Sequence, residues 1–119
     1  MKLEPGARAA GPVVTGFSGT GFKVDGTAVP GGLLLTPEAW QPWAGSFDLG
    51  SLKPALTIVP EFIVIGTGAR LVRPPRDLIA ALEARGIGVE AMDSRAAARA
   101  WAVLRAEGRW IAAALMPLE

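Results

Sequence analysis

The stretch Glu61-Phe62-Ile63-Val64-Ile65-Gly66-Thr67-Gly68 sets the narrowest limits on what this chain can fold into. Four consecutive apolar residues, three of them β-branched, run straight into a glycine turn. A strand with one wet face alternates apolar and polar side chains, whereas a strand covered on both faces is apolar throughout. Residues 62–65 are therefore read as the central strand of an α/β sheet. Gly66-Thr67-Gly68 is the loop at its carboxyl end.

The flanking residues extend that frame in both directions. Downstream, Pro74-Pro75 sets the start of a helix through Arg85, with Leu78, Ile79 and Leu82 as its buried stripe and Gly86 as a left-handed cap. Gly88 to Met92 reads as the next strand. Asp93 or Ser94 caps a second helix through Glu107, in which Ala97, Ala100, Trp101 and Leu104 form one stripe. Arg109 to Met116 follows as a long apolar strand whose direction periodicity does not choose. Upstream, Gly21 to Val24 alternates, Asp25-Gly26 is a two-residue hairpin signal, and Thr27 to Val29 returns. Leu33 to Leu35 is a short buried strand. Thr36-Pro37-Glu38 resembles a helix start limited to one turn by Pro42, and Ser51-Leu52-Lys53 opens another turn broken at Pro54. The expected fold class is α/β: a single three-layer domain over residues 13–119, with a mixed central sheet, an N-terminal β-meander and two helices in the C-terminal half. Residues 1–12 are expected to form a flexible arm.

Composition narrows the chemistry. The 119 residues contain no cysteine, no histidine and no tyrosine. Disulfides, thiolate catalysis and cysteine zinc sites are excluded, and so is the side chain that titrates near neutrality. Any catalysis would fall to carboxylates, hydroxyls, lysine or arginine, so no enzyme activity, metal or cofactor is expected. The net charge of +1 and the absence of lysine interleaved with aromatics argue against nucleic acid. No run approaches the ~18 apolar residues of a membrane span, and Met1 to Gly11 is not a signal peptide, so a cytoplasmic location is expected.

Two groups of residues remain as site candidates. Gly66-Thr67-Gly68-Ala69-Arg70-Leu71 nearly spells a dinucleotide fingerprint, but Leu71 stands where a third glycine is needed and the helix begins too late. The same loop with Arg70 and Arg73 could instead hold a phosphate or carboxylate. A solvated basic face explains these arginines as well. Trp40, Trp43 and Phe47 place three large aromatics within eight residues. They are either a lid completing the core or the centre of a protein interface, where tryptophan is enriched. Arg95 and Arg99, one turn apart on the outer face of the second helix, would suit an acidic partner. Glu90, at alternating register in a strand, would need a partner if buried.

Taken in order, the segments 62–68, 86–94, 104–109 and 112–117, preceded by 21–26 and 32–37, resemble the Mth938-like domain family. The resemblance spans roughly residues 13 to 117. It departs at Arg99-Ala100-Trp101-Ala102, where many relatives carry Thr-Tyr-Asn. It implies a compact three-layer α/β fold around a mixed sheet, with no established catalytic residues. It also implies protein partners, among them subunits or assembly factors of a respiratory complex, since one branch of the family serves mitochondrial complex I assembly. Self-association is compatible with it. The leading expectation is thus a non-catalytic interaction module, and the alternative is a small-anion or metabolite binder at Gly66 to Gly68.

Overall fold

The structure is a computed structural model that describes residues 11–119. The arm expected over residues 1–12 lies outside the described residues except for Gly11 and Pro12. Pro12 is buried, and its carbonyl accepts the Trp101 indole N–H at 2.9 Å.

The chain begins with three antiparallel strands, β1 (Val14–Ser18), β2 (Gly21–Val24) and β3 (Thr27–Val29). Asp25 and Gly26 both take positive φ, 50° and 87°, the turn geometry that matches the twist of a two-residue hairpin. Phe22 and Val24 point inward while Lys23 stays in water, as the alternation requires.

β4 (Gly32–Leu35) and β5 (Trp40–Trp43) form a second hairpin. Here the expected helix start at Thr36-Pro37-Glu38 is corrected. The Thr36 N–H donates to the Ala39 carbonyl and its hydroxyl accepts the Ala39 N–H, closing a turn instead. The aromatic segment that lacked a period is the strand β5. Pro42 is tolerated because β5 is an outer strand, paired among the described residues only with β4. The broken turn expected near Ser51 is likewise a full helix, α1 (Leu49–Leu56). The Asp48 carboxylate caps it by accepting the Ser51 N–H at 2.8 Å. Pro54 removes one helical hydrogen bond, but Leu52, Ala55 and Leu56 are buried, and packing rather than propensity sustains so short a helix.

The second half runs β6 (Phe62–Gly66), α2 (Arg76–Ala84), β7 (Gly88–Met92), α3 (Ser94–Ala106) and β8 (Ala112–Leu115). The large sheet has the order β5-β4-β8-β6-β7 and is mixed: β6 runs parallel to β7 and β8, while β4 runs antiparallel to β5 and β8. β6 is an interior strand, as its unbroken apolar run demands, but the middle place belongs to β8. α3 carries the chain back across the sheet, so β8 enters parallel to β6. It is also shorter than expected, beginning at Ala112 rather than Arg109.

Side chains leave the large sheet alternately. Ile63, Ile65, Ala112 and Ala114 meet Leu52 and Leu56 of α1 and Leu78 and Leu82 of α2. Val64, Ala113 and Leu115 meet Ala97, Ala98 and Trp101 of α3, together with Phe22 and Val24 from the small sheet. The result is three layers: α1 with α2, the large sheet, then α3 with the small sheet. Ile79 is only partly buried, and Glu90 is exposed because β7 is an edge strand, so it needs no buried partner.

Candidate functional site

The Gly66–Gly68 loop is drawn tight by Ser94, the first residue of α3 and fully buried. The Ser94 hydroxyl accepts the Gly68 N–H at 2.9 Å and donates to the Met116 carbonyl at 2.7 Å. The Ser94 N–H donates to the Gly68 carbonyl at 2.8 Å, and the Met116 N–H donates to the Gly66 carbonyl at 2.9 Å. One serine therefore ties the ends of β6 and β8 to the start of α3. Asp93, not Ser94, is the cap of α3, its carboxylate accepting the Ala96 N–H at 2.9 Å. Gly66 has to be glycine for a steric reason, since an added Cβ would lie 2.8 Å from the Ser94 hydroxyl oxygen and 2.9 Å from a Leu115 methyl.

The same geometry bears on anion binding. The Thr67 N–H donates to the Met92 carbonyl at 2.8 Å and the Gly68 N–H is held by Ser94, so neither amide is presented to a ligand. The Thr67 hydroxyl donates to the Arg70 carbonyl at 2.8 Å and accepts the Val72 N–H at 2.9 Å. Thr67 thus shapes the following loop. Arg70 and Arg73 are exposed on that loop, which continues through the exposed apolar pair Leu71 and Val72. Among the described residues, no group of three or more carboxylates is arranged to hold a metal.

The three aromatics do not form one patch. Trp40 and Trp43 are three apart on a strand, which sends them to opposite faces. Trp43 is buried in the α1–α2 layer, where its indole N–H donates to the Ser51 hydroxyl and its ring meets Phe47 at 5.9 Å between centroids. Trp40, half-buried, borders the opposite core. Arg95 and Arg99 are both exposed on α3. The Arg95 guanidinium lies 4.8 Å from the centroid of the Phe17 ring of β1, a cation–π contact. Arg99 borders an apolar cleft with Val14, Phe17, Ala98 and Ala102.

A cluster at the opposite end of β6 has no counterpart in the sequence reasoning. Arg109 forms an ion pair with Glu61 at 2.9 Å and stacks 5.3 Å from the Phe62 ring centroid. Donation from Arg109 holds the Glu61 carboxyl below its ordinary value. Trp110 is exposed, its indole N–H donating to the Ile58 carbonyl at 2.7 Å. Periodicity alone places Arg109 and Trp110 in the last strand, but the strand begins only at Ala112. The signal available was Gly108 immediately before them, followed by two residues too polar or too large for the sheet's middle strand.

A family model described as a protein of unknown function, DUF498/DUF598, matches residues 14–116. The chain belongs to the DUF498/DUF598 family. It is 39% identical over 115 residues to an uncharacterized protein of Rhodobacter capsulatus, covering 97% of this chain and 91% of that one. It is 36% identical to the NADH dehydrogenase [ubiquinone] 1 alpha subcomplex assembly factor 3 of Danio rerio, over 92% of this chain but 66% of the factor. Against the Homo sapiens factor the identity is 34%, over 87% of this chain and 60% of the factor. The chain thus spans about two thirds or less of the animal factors' length. Among solved structures, a Bordetella parapertussis protein superposes with a TM-score of 0.80 at 31% identity, over 89% of this chain and 95% of that one. A Bordetella pertussis protein described as an Mth938-like domain gives 0.74 at 27% identity, over 98% and 92%. The Mth938-like assignment of this DUF498/DUF598 chain therefore stands.

Proposed function

We propose that this chain is a non-catalytic protein-interaction module that acts from the cytoplasm in assembling a membrane-associated respiratory complex of the NADH dehydrogenase type. The observation that carries this is the match to the animal complex I assembly factors over most of this chain's length. The internal commitments of the Gly66–Gly68 loop support it. Thr67, Gly68 and Ser94 spend their polar groups on holding β6, β8 and α3 together rather than on presenting them to a small molecule.

Crosslinking in the native cell followed by affinity capture of the tagged chain tests the proposal. NADH dehydrogenase subunits are the expected recovery, and a capture that lacks them at wild-type expression would refute it. Millimolar phosphate or nucleotide is expected to leave the melting temperature unchanged. A rise that depends on Arg70 and Arg73 would transfer support to an anion binder at Gly66, Thr67 and Gly68.

A further inference from the structure

Among the described residues, β7 is an outer strand, paired on one side with β6 and on the other with nothing. The Gly88 N–H donates to the Glu61 carbonyl, and the Met92 carbonyl accepts the Thr67 N–H. Gly88, Glu90 and Met92 therefore turn their backbone groups toward β6. Alternate residues of a parallel pair face opposite edges, which leaves the N–H and C=O of Val89 and Ala91 aimed outward. No described residue hydrogen-bonds to them. Proteins blunt such an edge or use it.

Beside this edge, on the α2 side of the sheet, lies an apolar groove of about 430 Å³ lined by Leu71, Arg73, Pro74, Ile79 and Ala91. Leu71 is 63% exposed and Val72 52%. Residues 66–76 carry three arginines, Arg70, Arg73 and Arg76, and no acid. None of the three forms an ion pair among the described residues. Of the nearby acids, Glu90 projects from the opposite face of β7, Asp93 caps α3, Asp77 lines a separate cleft with Phe47, Asp48 and Leu49, and Glu83 lies one turn along α2 from Ile79.

We propose that the open edge of β7 accepts an extended segment of a partner protein as a sixth strand, with an apolar side chain in the Leu71–Ile79 groove and an acidic one against Arg73. Main-chain pairing supplies affinity in this mode, and alternate side chains supply selectivity. Charge decides between a partner and a second copy. The two-fold register that pairs every outward group within β7 joins Val89 to Ala91 and sets Glu90 directly against Glu90, which is unfavourable. An acidic partner strand instead neutralises the arginines. The inference rests on the assembly-module reading and names its surface.

The test is titration of the 15N-labelled chain with the peptide Ac-Thr-Glu-Thr-Val-Thr-Glu-Thr-NH2, whose acidic and apolar side chains share one face of a strand, and with its lysine counterpart. The acidic peptide is expected to shift the Val89 and Ala91 amides and slow their hydrogen exchange, and the lysine peptide is not. Ala91→Pro removes an outward N–H while sparing the pairing with β6, and should abolish the effect. Arg73→Glu, at an exposed position, should weaken the acidic peptide about tenfold and admit the lysine one, and it carries the test if Ala91→Pro does not fold. Equal response to both peptides, protection along β5 instead, no response at millimolar peptide, or dimerisation through β7 without peptide would each overturn the proposal. Capture from cells separates the two readings. If Arg73→Glu recovers the same subunits as wild type, the edge is wrong and the module stands. If wild type recovers none while the peptide still binds β7, the edge stands and the module reading fails.

Discussion

Replacing Ser94 by alanine removes one oxygen and should unlatch three elements at once. The hydroxyl is fully buried and serves two partners, the buried Gly68 N–H and the partly buried Met116 carbonyl. A buried polar group stripped of its partner costs about 1–3 kcal/mol, and Met116, open to some water, falls at the low end. Alanine in the first turn of α3 returns roughly 0.5 kcal/mol of helix propensity. The net loss is then about 2–3 kcal/mol, which for a domain of this size lowers the melting temperature by roughly 8–12 °C. Urea denaturation followed by tryptophan fluorescence measures it, with the midpoint falling and the slope unchanged. Ser18→Ala, at an exposed strand end, is the control and should stay within about 0.5 kcal/mol. Hydrogen exchange at the Gly68 amide should accelerate in the Ser94 variant alone. A loss below about 0.5 kcal/mol, no larger than the surface control, would show that the latch contributes nothing.

Three further outcomes are expected. Trp43→Ala empties a buried site and should cost about 3–5 kcal/mol by the same denaturation assay, whereas Trp40→Ala, at a half-buried position, should cost clearly less. Glu61 is held below its ordinary value of 4.5, chiefly by the hydrogen bond from Arg109, so its contribution is complete above that value and is lost as pH falls through the lower folded one. The stability gap between wild type and Glu61→Gln should accordingly close on acidification below pH 4.5, and a gap unchanged at lower pH would contradict the pairing. Val59 holds a β-branched side chain at φ 51°, 73% exposed, a conformation that disfavours it by about 1–2 kcal/mol. After glycine's own entropic cost, Val59→Gly should raise stability by roughly 0.5–1 kcal/mol in a thermal melt.

The candidate sites were less legible than the fold. Trp40 and Trp43 stand out in composition, yet a strand with proline in it resembles a loop, and the opposite facing of the two rings appears only once β5 pairs with β4. The Gly66–Gly68 loop was legible as a tight turn. Its closing partner, Ser94, lies far along the chain, and nothing local distinguishes a latch from a cap. Arg109 and Trp110 were lost inside an apolar run because periodicity cannot tell where pairing stops.

By itself the sequence determined that the strongly patterned segments are buried and where several of them turn. The unbroken apolar run of 62–65 requires cover on both faces, Asp25-Gly26 admits a two-residue hairpin, and Gly86 ends a helix at φ 78°. These are statements about single segments and their nearest neighbours in the chain. Only the tertiary structure decided that β8 occupies the middle of the sheet, that it runs parallel to β6, and that β7 with Glu90 is an edge. Each depends on which strands meet across the sheet, set by pairing between distant segments and by the handedness of helical crossovers. Those are properties of the assembled sheet, and no window of residues contains them.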